Sequence, residues 1–252
     1  MATACITGAS SGIGKEFAKQ LAKRGYNLIL VSRNTTALKE LAEQLPCKCR
    51  IISCDLSKEA QCIQLAERLK KYNIHILINN AGFGDLSSFQ TADLAKSLDM
   101  INVNIKALHI LTRKLLPGFV KKDRGYILNV ASSAGLLPGG PYMSTYYATK
   151  SYVTSLTAAI HQELKEQHSH VHISMLCPGP VDTGFNETAN VSFALPGICA
   201  SYCVSYALKE MAKGTLTIVP SFTMKLAVMA SRFVPQSILL SITAKQQKKK
   251  GC

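Results

Sequence analysis

Residues 3–14 read TACITGASSGIG, and this stretch decides the fold. A short apolar run, Ala4–Thr7, passes into a turn that holds three glycines, and an amphipathic stretch, Lys15–Arg24, follows at once. A strand, a glycine-rich turn and a helix in this order are typical of dinucleotide-binding folds, because glycine permits a tight turn and a close approach of the backbone to phosphate. The turn alone would also suit an ordinary connection between a strand and a helix.

Apolar strands alternate with helical patterns along the rest of the chain. The predicted strands are Ala4–Thr7, Asn27–Ser32, Cys49–Cys54, Ile76–Asn79, Tyr126–Val130, His172–Cys177 and Leu216–Val219. This alternation predicts an α/β fold with a doubly wound parallel sheet, Rossmann-like. A chain of 252 residues could form one domain or two. Because no linker or repeat interrupts it before about residue 220, we expect one domain, 1–220, followed by an apolar helical extension with a basic tail, 221–252.

The composition excludes several classes of protein. Hydrophobic residues make up 47% of the chain, which is enough for a large core and excludes a disordered chain. The nine cysteines are odd in number and several lie in apolar runs, which indicates reduced thiols in a cytoplasmic protein. No spacing of Cys and His matches a metal site, so no metal is expected. The first residues also lack the pattern of a signal peptide.

The glycine-rich turn is the predicted site for the pyrophosphate of a dinucleotide, held by Gly8, Ser10, Ser11, Gly12, Ile13 and Gly14. The second strand ends in Ser32-Arg33-Asn34, where an acid would favour a free ribose 2′-hydroxyl. Here the acid is missing, and the guanidinium of Arg33 is well suited to a 2′-phosphate. We therefore predict NADP(H) in preference to NAD(H). The alternative is a solvated arginine at the end of a strand.

Polar residues follow the next two strands, at the sheet edge where open α/β sheets bind ligands. Asp55 and Leu56 come after the third strand, and Asn80, Ala81 and Gly82 come after the fourth. We expect them to line the cofactor site. Asp and Asn are also common turn residues, which is the alternative interpretation.

Tyr146 and Lys150 stand four residues apart on a predicted helix and therefore share one face. A nearby ammonium group stabilises phenolate and lowers the pKa of tyrosine from about 10, which suits proton transfer to a carbonyl oxygen. Ser133 precedes Tyr146 by 13 residues and ends the fifth strand region. The pair alone could equally be two surface side chains.

Six motifs in order resemble those of the short-chain dehydrogenase/reductase family, over nearly the whole chain to about residue 220. They are T-G-x-x-x-G-x-G at 7–14, Asp55, N-N-A-G at 79–82, Asn104, Ser133 with Tyr146 and Lys150, and P-G-P-V-D-T at 178–183. Within the family the chain is most similar to the DltE-like bacterial reductases, and more distantly to 17β-hydroxysteroid and long-chain 3-oxoacyl reductases.

The resemblance implies a role for each matched residue. Tyr146 would be the general acid or base at the substrate oxygen. Lys150 would bind the nicotinamide ribose and lower the pKa of Tyr146. Ser133 would position the substrate oxygen, with Ser132 in a packing role, and Asn104 would hold a water molecule for proton relay. The last motif would contact the nicotinamide or the phosphates through Pro178, Gly179, Val181 and Thr183.

The resemblance implies that the region from Thr183 to about Pro196 is a substrate lid. Its side chains Phe185, Val191, Phe193 and Leu195 favour a lipophilic ketone, and the alternative is that they pack on the body of the domain. Half of the net charge of +14 lies from Lys209 onward, where eight basic residues accompany one acid. Two apolar helical stretches there, Met224–Val234 and Ser237–Ala244, are too interrupted for a transmembrane helix. They could lie on an anionic membrane, pack on the domain and close the pocket, or form a subunit contact.

Together these features predict an NADP(H)-dependent oxidoreductase that interconverts a ketone and a secondary alcohol on a lipophilic substrate of steroid or 3-oxoacyl type. A homodimer or homotetramer is expected from the family. The alternative is a cofactor-binding sensor or scaffold docked to a membrane or partner by its basic tail. Nucleic acid is not an expected partner, because no patch interleaves aromatic and basic residues.

Overall fold

The computed structural model describes residues 2–183 and 197–248. The predicted lid residues Phe185, Val191, Phe193 and Leu195, and the basic cluster from Lys249 onward, lie outside the described residues.

The strands and helices follow the alternation expected from the sequence. The strands are β1 (Thr3–Thr7), β2 (Asn27–Ser32), β3 (Cys49–Ser53), β4 (Ile74–Asn79), β5 (Gly125–Val130), β6 (Val171–Leu176), β7 (Val181–Asp182), β8 (Ile198–Cys199) and β9 (Thr217–Ile218). The helices are α1 (Gly12–Lys23), α2 (Thr35–Glu43), α3 (Glu59–Leu69), α4 (Leu94–Ile101), α5 (Leu108–Lys122), α6 (Ser144–Glu166), α7 (Ala200–Ala212), α8 (Phe222–Ser231) and α9 (Gln236–Lys248).

Seven strands form one parallel sheet in the order β3-β2-β1-β4-β5-β6-β9. The order reverses between β1 and β4, and this reversal opens a crevice at the carboxyl edge of the sheet. The predicted doubly wound, Rossmann-like fold is therefore confirmed. A separate parallel ladder joins β7 to β8.

Helices cover both faces of the sheet, and each face has its own apolar core. On one face α1 and α7 pack through residues such as Phe17, Leu21 and Leu208. On the other face α3 and α5 pack through residues such as Leu65 and Leu111. The strands between them are buried on both sides, which explains why they read as continuous apolar runs rather than alternating ones.

The apolar spacing over Val103–Lys121 is that of one continuous helix, but the structure begins this region with a π-helical turn, Asn102–Ala107, before α5. The wider turn accommodates an extra residue. It places Asn104 against the loop after β4 and against α6, where its side chain is hydrogen-bonded. Periodicity does not reveal such an insertion, because the apolar spacing on either side remains helical.

The two C-terminal helices fold back onto the carboxyl edge of the sheet. Val228 of α8 is buried. Met224 of the same helix packs against Gly179, since a Cβ added to Gly179 would stand 2.9 Å from the Cε of Met224. From α9, the side chain of Gln247 hydrogen-bonds to Tyr147 of α6. In the ranges that the structure describes, no helix is long and apolar enough to cross a membrane.

Candidate active site

A cavity of about 1140 Å³ lies where the loops after the parallel strands meet. This volume slightly exceeds the usual range for ligand pockets, about 300–1,000 Å³, and suits a cofactor together with a substrate. Nearly all residues predicted to bind the cofactor line it: Gly8, Ser10, Ser11, Gly12, Ile13, Arg33, Asp55, Leu56, Asn80, Ala81, Gly82, Tyr146, Lys150, Pro178, Gly179, Val181 and Thr183. Gly14 and Asn104 are not part of its wall, and both act from behind it.

Two glycines of the first loop are required by close backbone contacts. Gly8 has a φ of +65°, and a Cβ there would stand 2.9 Å from the Cα of Ala81. A Cβ on Gly14 would stand 2.2 Å from the carbonyl oxygen of Gly8. Gly14 therefore allows α1 to pack against the turn, which brings the amino end of the helix to the cavity.

The amino end of α1 suits an anion. Ser11 is the N-cap residue, and within the described ranges its side chain makes no capping hydrogen bond. The first N–H groups of a helix lack partners inside the helix and carry a partial positive charge. They point where a pyrophosphate group would lie, so the loop fits a dinucleotide.

Asn80 holds this loop in place through hydrogen bonds to its backbone. Its amide nitrogen donates to the carbonyl oxygens of Thr7, at 2.9 Å, and Gly8, at 3.2 Å. In return the hydroxyl of Thr7 accepts from the backbone N–H groups of Asn80 and Ala81, at 3.0 and 3.1 Å. The predicted cofactor residue Asn80 therefore acts on the cavity chiefly by fixing the glycine-rich turn.

Arg33 is exposed at the rim of the cavity, directly after β2. Asp55 faces it from the end of β3. Burial alone would raise the pKa of this carboxyl, but hydrogen bonds from Ser57 and the positive charges of Arg33 and Lys58 lower the pKa below its ordinary value of 3.8. The rim thus carries an exposed guanidinium beside a carboxylate, and such a group would fit a cofactor bearing a ribose 2′-phosphate.

Lys150 is buried below the cavity floor, where its Nζ donates to the carbonyl oxygen of Val130 at 2.9 Å. Burial lowers its pKa to about 8. Asn104 lies beside Lys150, because both side chains reach the same point next to Gly82. A Cβ added to Gly82 would stand 2.9 Å from Asn104 Oδ1 and 3.3 Å from Lys150 Nζ. The amide of Asn104 donates to Phe83 and Thr149 and accepts from Phe83. Its oxygen keeps one lone pair for a further donor.

Tyr146 is hydrogen-bonded to Ser132, to which the sequence had given a packing role, and Ser133, the residue predicted to position the substrate oxygen, also lines the cavity. The hydroxyl of Ser132 also accepts from the backbone N–H of Ala134 at 3.2 Å, as the N-cap of a short 3₁₀ turn, Ser133–Leu136. Ser133 instead ties two loops together through its backbone N–H, which donates to Pro178 at 2.8 Å. The preference of serine for N-cap positions is the sequence feature that could have indicated the position of Ser132 at the start of this turn.

The electrostatics of Tyr146 also differ from expectation. The sequence predicted that Lys150 would lower the pKa of the phenol, but burial raises it to about 12, and the hydrogen bond with Ser132 only partly opposes this effect. Lys150 Nζ lies 5.8 Å from the centre of the Tyr146 ring. At neutral pH the phenol is therefore protonated and able to donate a proton.

Packing on the domain and closing the pocket was one of three roles considered for the C-terminal helices, and the structure places them along one side of the cavity. The two C-terminal helices form it with Met224, Ala227, Val228, Ser231, Leu239, Ile242, Thr243, Gln246 and Gln247. Leu137, Met143 and Tyr147 extend this wall beside Tyr146. The apolar spacing in the tail did not identify which residues would be in contact, because the contact joins residues 100 positions apart.

Comparison with known proteins places these residues in a family. The family model for short chain dehydrogenases matches residues 2–192. A very-long-chain 3-oxoacyl-CoA reductase from Anas platyrhynchos is 33% identical over 204 residues, which are 77% of this chain and 64% of that protein. An uncharacterized oxidoreductase from Staphylococcus epidermidis is 34% identical over 187 residues, 73% of this chain and 80% of that protein.

A solved short-chain dehydrogenase from Sphingobium yanoikuyae, in complex with NADPH, is 29% identical with a TM-score of 0.82, over 92% of this chain and 94% of that one. A family member from Burkholderia phymatum, in complex with NAD, is 26% identical with a TM-score of 0.81, over 90% and 92%. The chain belongs to the short-chain dehydrogenase family, as its motifs predicted. It spans 51–64% of the length of the 3-oxoacyl-CoA reductases from Anas platyrhynchos, Neurospora crassa and Coprinopsis cinerea that it matches.

Proposed function

We propose that the protein is an NADP(H)-dependent oxidoreductase that interconverts a ketone and a secondary alcohol on a lipophilic substrate. The observation that carries this proposal is the arrangement of Ser132, Tyr146 and Lys150 around one cavity, with a hydrogen bond joining the first two. The 3-oxoacyl-CoA reductases among the relatives, which share the family, support a carbonyl group as the reacting centre.

A nicotinamide cofactor, when bound, supplies or accepts the hydride. The hydroxyl of Ser132 would donate to the substrate oxygen and orient it, and this donor would stabilise the negative charge that develops there. Tyr146 would protonate the same oxygen, for which its protonated state at neutral pH is suitable. Lys150 would place positive charge under the phenol and stabilise the phenolate that proton donation leaves. Asn104 would hold the water molecule that returns the proton.

Arg33 supports the choice of NADP(H). The structural relatives include complexes with NADPH and with NAD, so the family by itself leaves the choice open. In this chain the end of β2 carries Arg33 and no acid, and a guanidinium at the rim pairs with a 2′-phosphate more favourably than with a ribose hydroxyl.

The walls around Tyr146 support a lipophilic substrate. Apolar side chains meet there from three parts of the chain: Phe83 and Val103, Leu137 and Met143, and the helices α8 and α9. A steroid ketone or a 3-oxoacyl chain would bury its apolar surface against them, at about 25 cal/mol per Å².

Oxidation of NADPH in the presence of steroid ketones, 3-oxoacyl thioesters and simple aldehydes tests the proposal. We expect turnover with at least one lipophilic ketone and loss of turnover in Tyr146→Phe, which removes only the hydroxyl. Tyr72→Phe, in the bend that follows α3, is the matched control and should retain activity. Turnover that persists in Tyr146→Phe would contradict the mechanism. Cofactor binding without turnover of any carbonyl would favour a sensor or scaffold on the same fold.

We also propose that the outer surface of the C-terminal helices contacts an anionic membrane. Phe222, Met229 and Phe233 are 72%, 56% and 85% exposed there. Residues 213–248 contain five basic residues and no acid, so a second copy of this surface would meet like charges, whereas anionic lipid would neutralise them. Each basic residue near such a surface contributes about 1 kcal/mol.

Sedimentation with phosphatidylcholine vesicles, with and without phosphatidylserine, tests this contact. We expect pelleting only with phosphatidylserine, and reduced pelleting in Phe222→Ser/Phe233→Ser. Phe89→Ser, which changes an equally exposed phenylalanine on the body of the protein, is the control. Equal pelleting of wild type and the double variant would rule out the membrane contact. Light scattering of the protein without vesicles tests the homodimer or homotetramer expected from the family.

A further inference from the structure

Gln247 lies in the wall of the cavity with an unsatisfied polar atom. Gln247 is 1% exposed, and its Nε2 donates a hydrogen bond to the hydroxyl of Tyr147 at 2.8 Å. Among the described residues, its Oε1 has no hydrogen-bond partner. A buried carbonyl oxygen without a partner costs free energy, and a leucine at this helical position would avoid the cost. The amide therefore indicates a partner that enters the cavity.

The pair of Gln247 and Tyr147 presents one donor and one acceptor. The hydroxyl of Tyr147 accepts from Nε2 and keeps its own proton for donation, while Oε1 accepts. If the amide is rotated by 180°, Tyr147 donates to Oε1, and Nε2 becomes the free donor while the phenol oxygen becomes the free acceptor. In either orientation the pair matches a neutral group that both donates and accepts.

The position of this pair relates it to the proposed chemistry. The rings of Tyr146 and Tyr147 lie edge to face, with their centroids 6.3 Å apart. Leu137, Met143 and Leu239 line the cavity around them. A group held by the pair would thus be separated by a short apolar stretch from a carbonyl held by Tyr146.

We propose that Gln247 and Tyr147 form a second polar subsite, which binds a hydroxyl or secondary amide group of the substrate away from the reacting carbonyl. This inference rests on the proposed function and narrows its substrate class to lipophilic ketones that carry a second, neutral polar group. The subsite determines specificity and takes no part in proton transfer.

Two pairs of probes test the subsite. The first pair is a steroid ketone with and without a distal hydroxyl group. The second is a 3-oxoacyl N-acetylcysteamine thioester, which carries an amide, and the corresponding S-ethyl thioester, which lacks it. Wild type should favour the polar member of at least one pair. Gln247→Met should lower kcat/KM for that member by about tenfold, the value of one neutral hydrogen bond, and change the apolar member less than twofold.

Controls separate the subsite from folding and from the proposed activity. Tyr147→Phe removes only the hydroxyl and should shift the preference in the same direction, whereas Gln236→Met, at the exposed start of α9, should not. Calorimetric titration of the probes measures binding without turnover. Absence of turnover in wild type would count against the proposed function, while the subsite would still predict tighter binding of the polar probe. The subsite would be overturned if Gln247→Met lowered kcat/KM equally for both members of each pair, or if wild type bound both members equally tightly.

Discussion

The hydrogen bond between Ser132 and Tyr146 predicts that the neighbouring residues Ser132 and Ser133 differ in their effect on catalysis. Ser132→Ala removes the donor proposed to meet the substrate oxygen, and loss of one such donor lowers kcat by about 10²–10³-fold. The same change removes the N-cap acceptor for the N–H of Ala134, which should cost about 1 kcal/mol of stability. Ser133→Ala keeps the backbone hydrogen bond to Pro178, so its kcat should change less than about threefold.

Steady-state oxidation of NADPH with the best ketone substrate measures the first effect, and urea unfolding followed by circular dichroism measures the second. Fluorescence titration with NADPH shows whether cofactor binding is preserved in both variants. If Ser133→Ala loses activity while Ser132→Ala retains it, the reasoning from the hydrogen bond is refuted.

Three further predictions follow from the charges and the core. Arg33→Asp should lower the ratio of kcat/KM for NADPH to kcat/KM for NADH by about a hundredfold, as measured by initial rates. Lys39→Asp on α2 is the control and should leave this ratio unchanged. An unchanged ratio in Arg33→Asp would mean that the arginine is only solvated. Because the folded-state pKa of Lys150 is about 8 against an ordinary 10.5, the unfolded chain binds more protons at this group between these pH values. The contribution of Lys150 to stability should therefore rise from pH 8 to 10.5, and the difference between wild type and Lys150→Met in thermal unfolding scans measures it. Phe17→Ala should cost about 3–5 kcal/mol in urea unfolding because its side chain is fully buried, and a cost below 1 kcal/mol would contradict the packing of α1.

The sheet could be predicted because burial on both faces makes its strands continuous apolar runs, and glycine marks the turn after β1. The edge of the sheet that carries the site follows from parallel topology alone. The spacing from Tyr146 favoured Ser133, but the path between them contains a 3₁₀ turn and Tyr142 with a φ of 66°, so residue counting does not reveal that Ser132 hydrogen-bonds to the phenol. The pKa of Tyr146 could not be predicted either, because it depends on burial more than on the nearby charge.

The partner of α9 could not be predicted from the sequence for a different reason. An apolar face predicts that a helix packs, but the identity of its partner depends on the path of the whole chain. The structure brings Gln247 to Tyr147 across a separation of 100 residues.

The placement of α8 and α9 over the cavity gives the chain a modular layout. The residues that fix the glycine-rich turn and the proton-transfer groups precede residue 184, whereas a large part of the wall facing the substrate comes from residues 222–248. Exchange of this C-terminal segment between relatives would therefore alter which ketones are accepted and leave the cofactor half intact. Under the proposed function, selectivity would be set by residues 222–248, apart from the scaffold that carries the proposed proton-transfer groups.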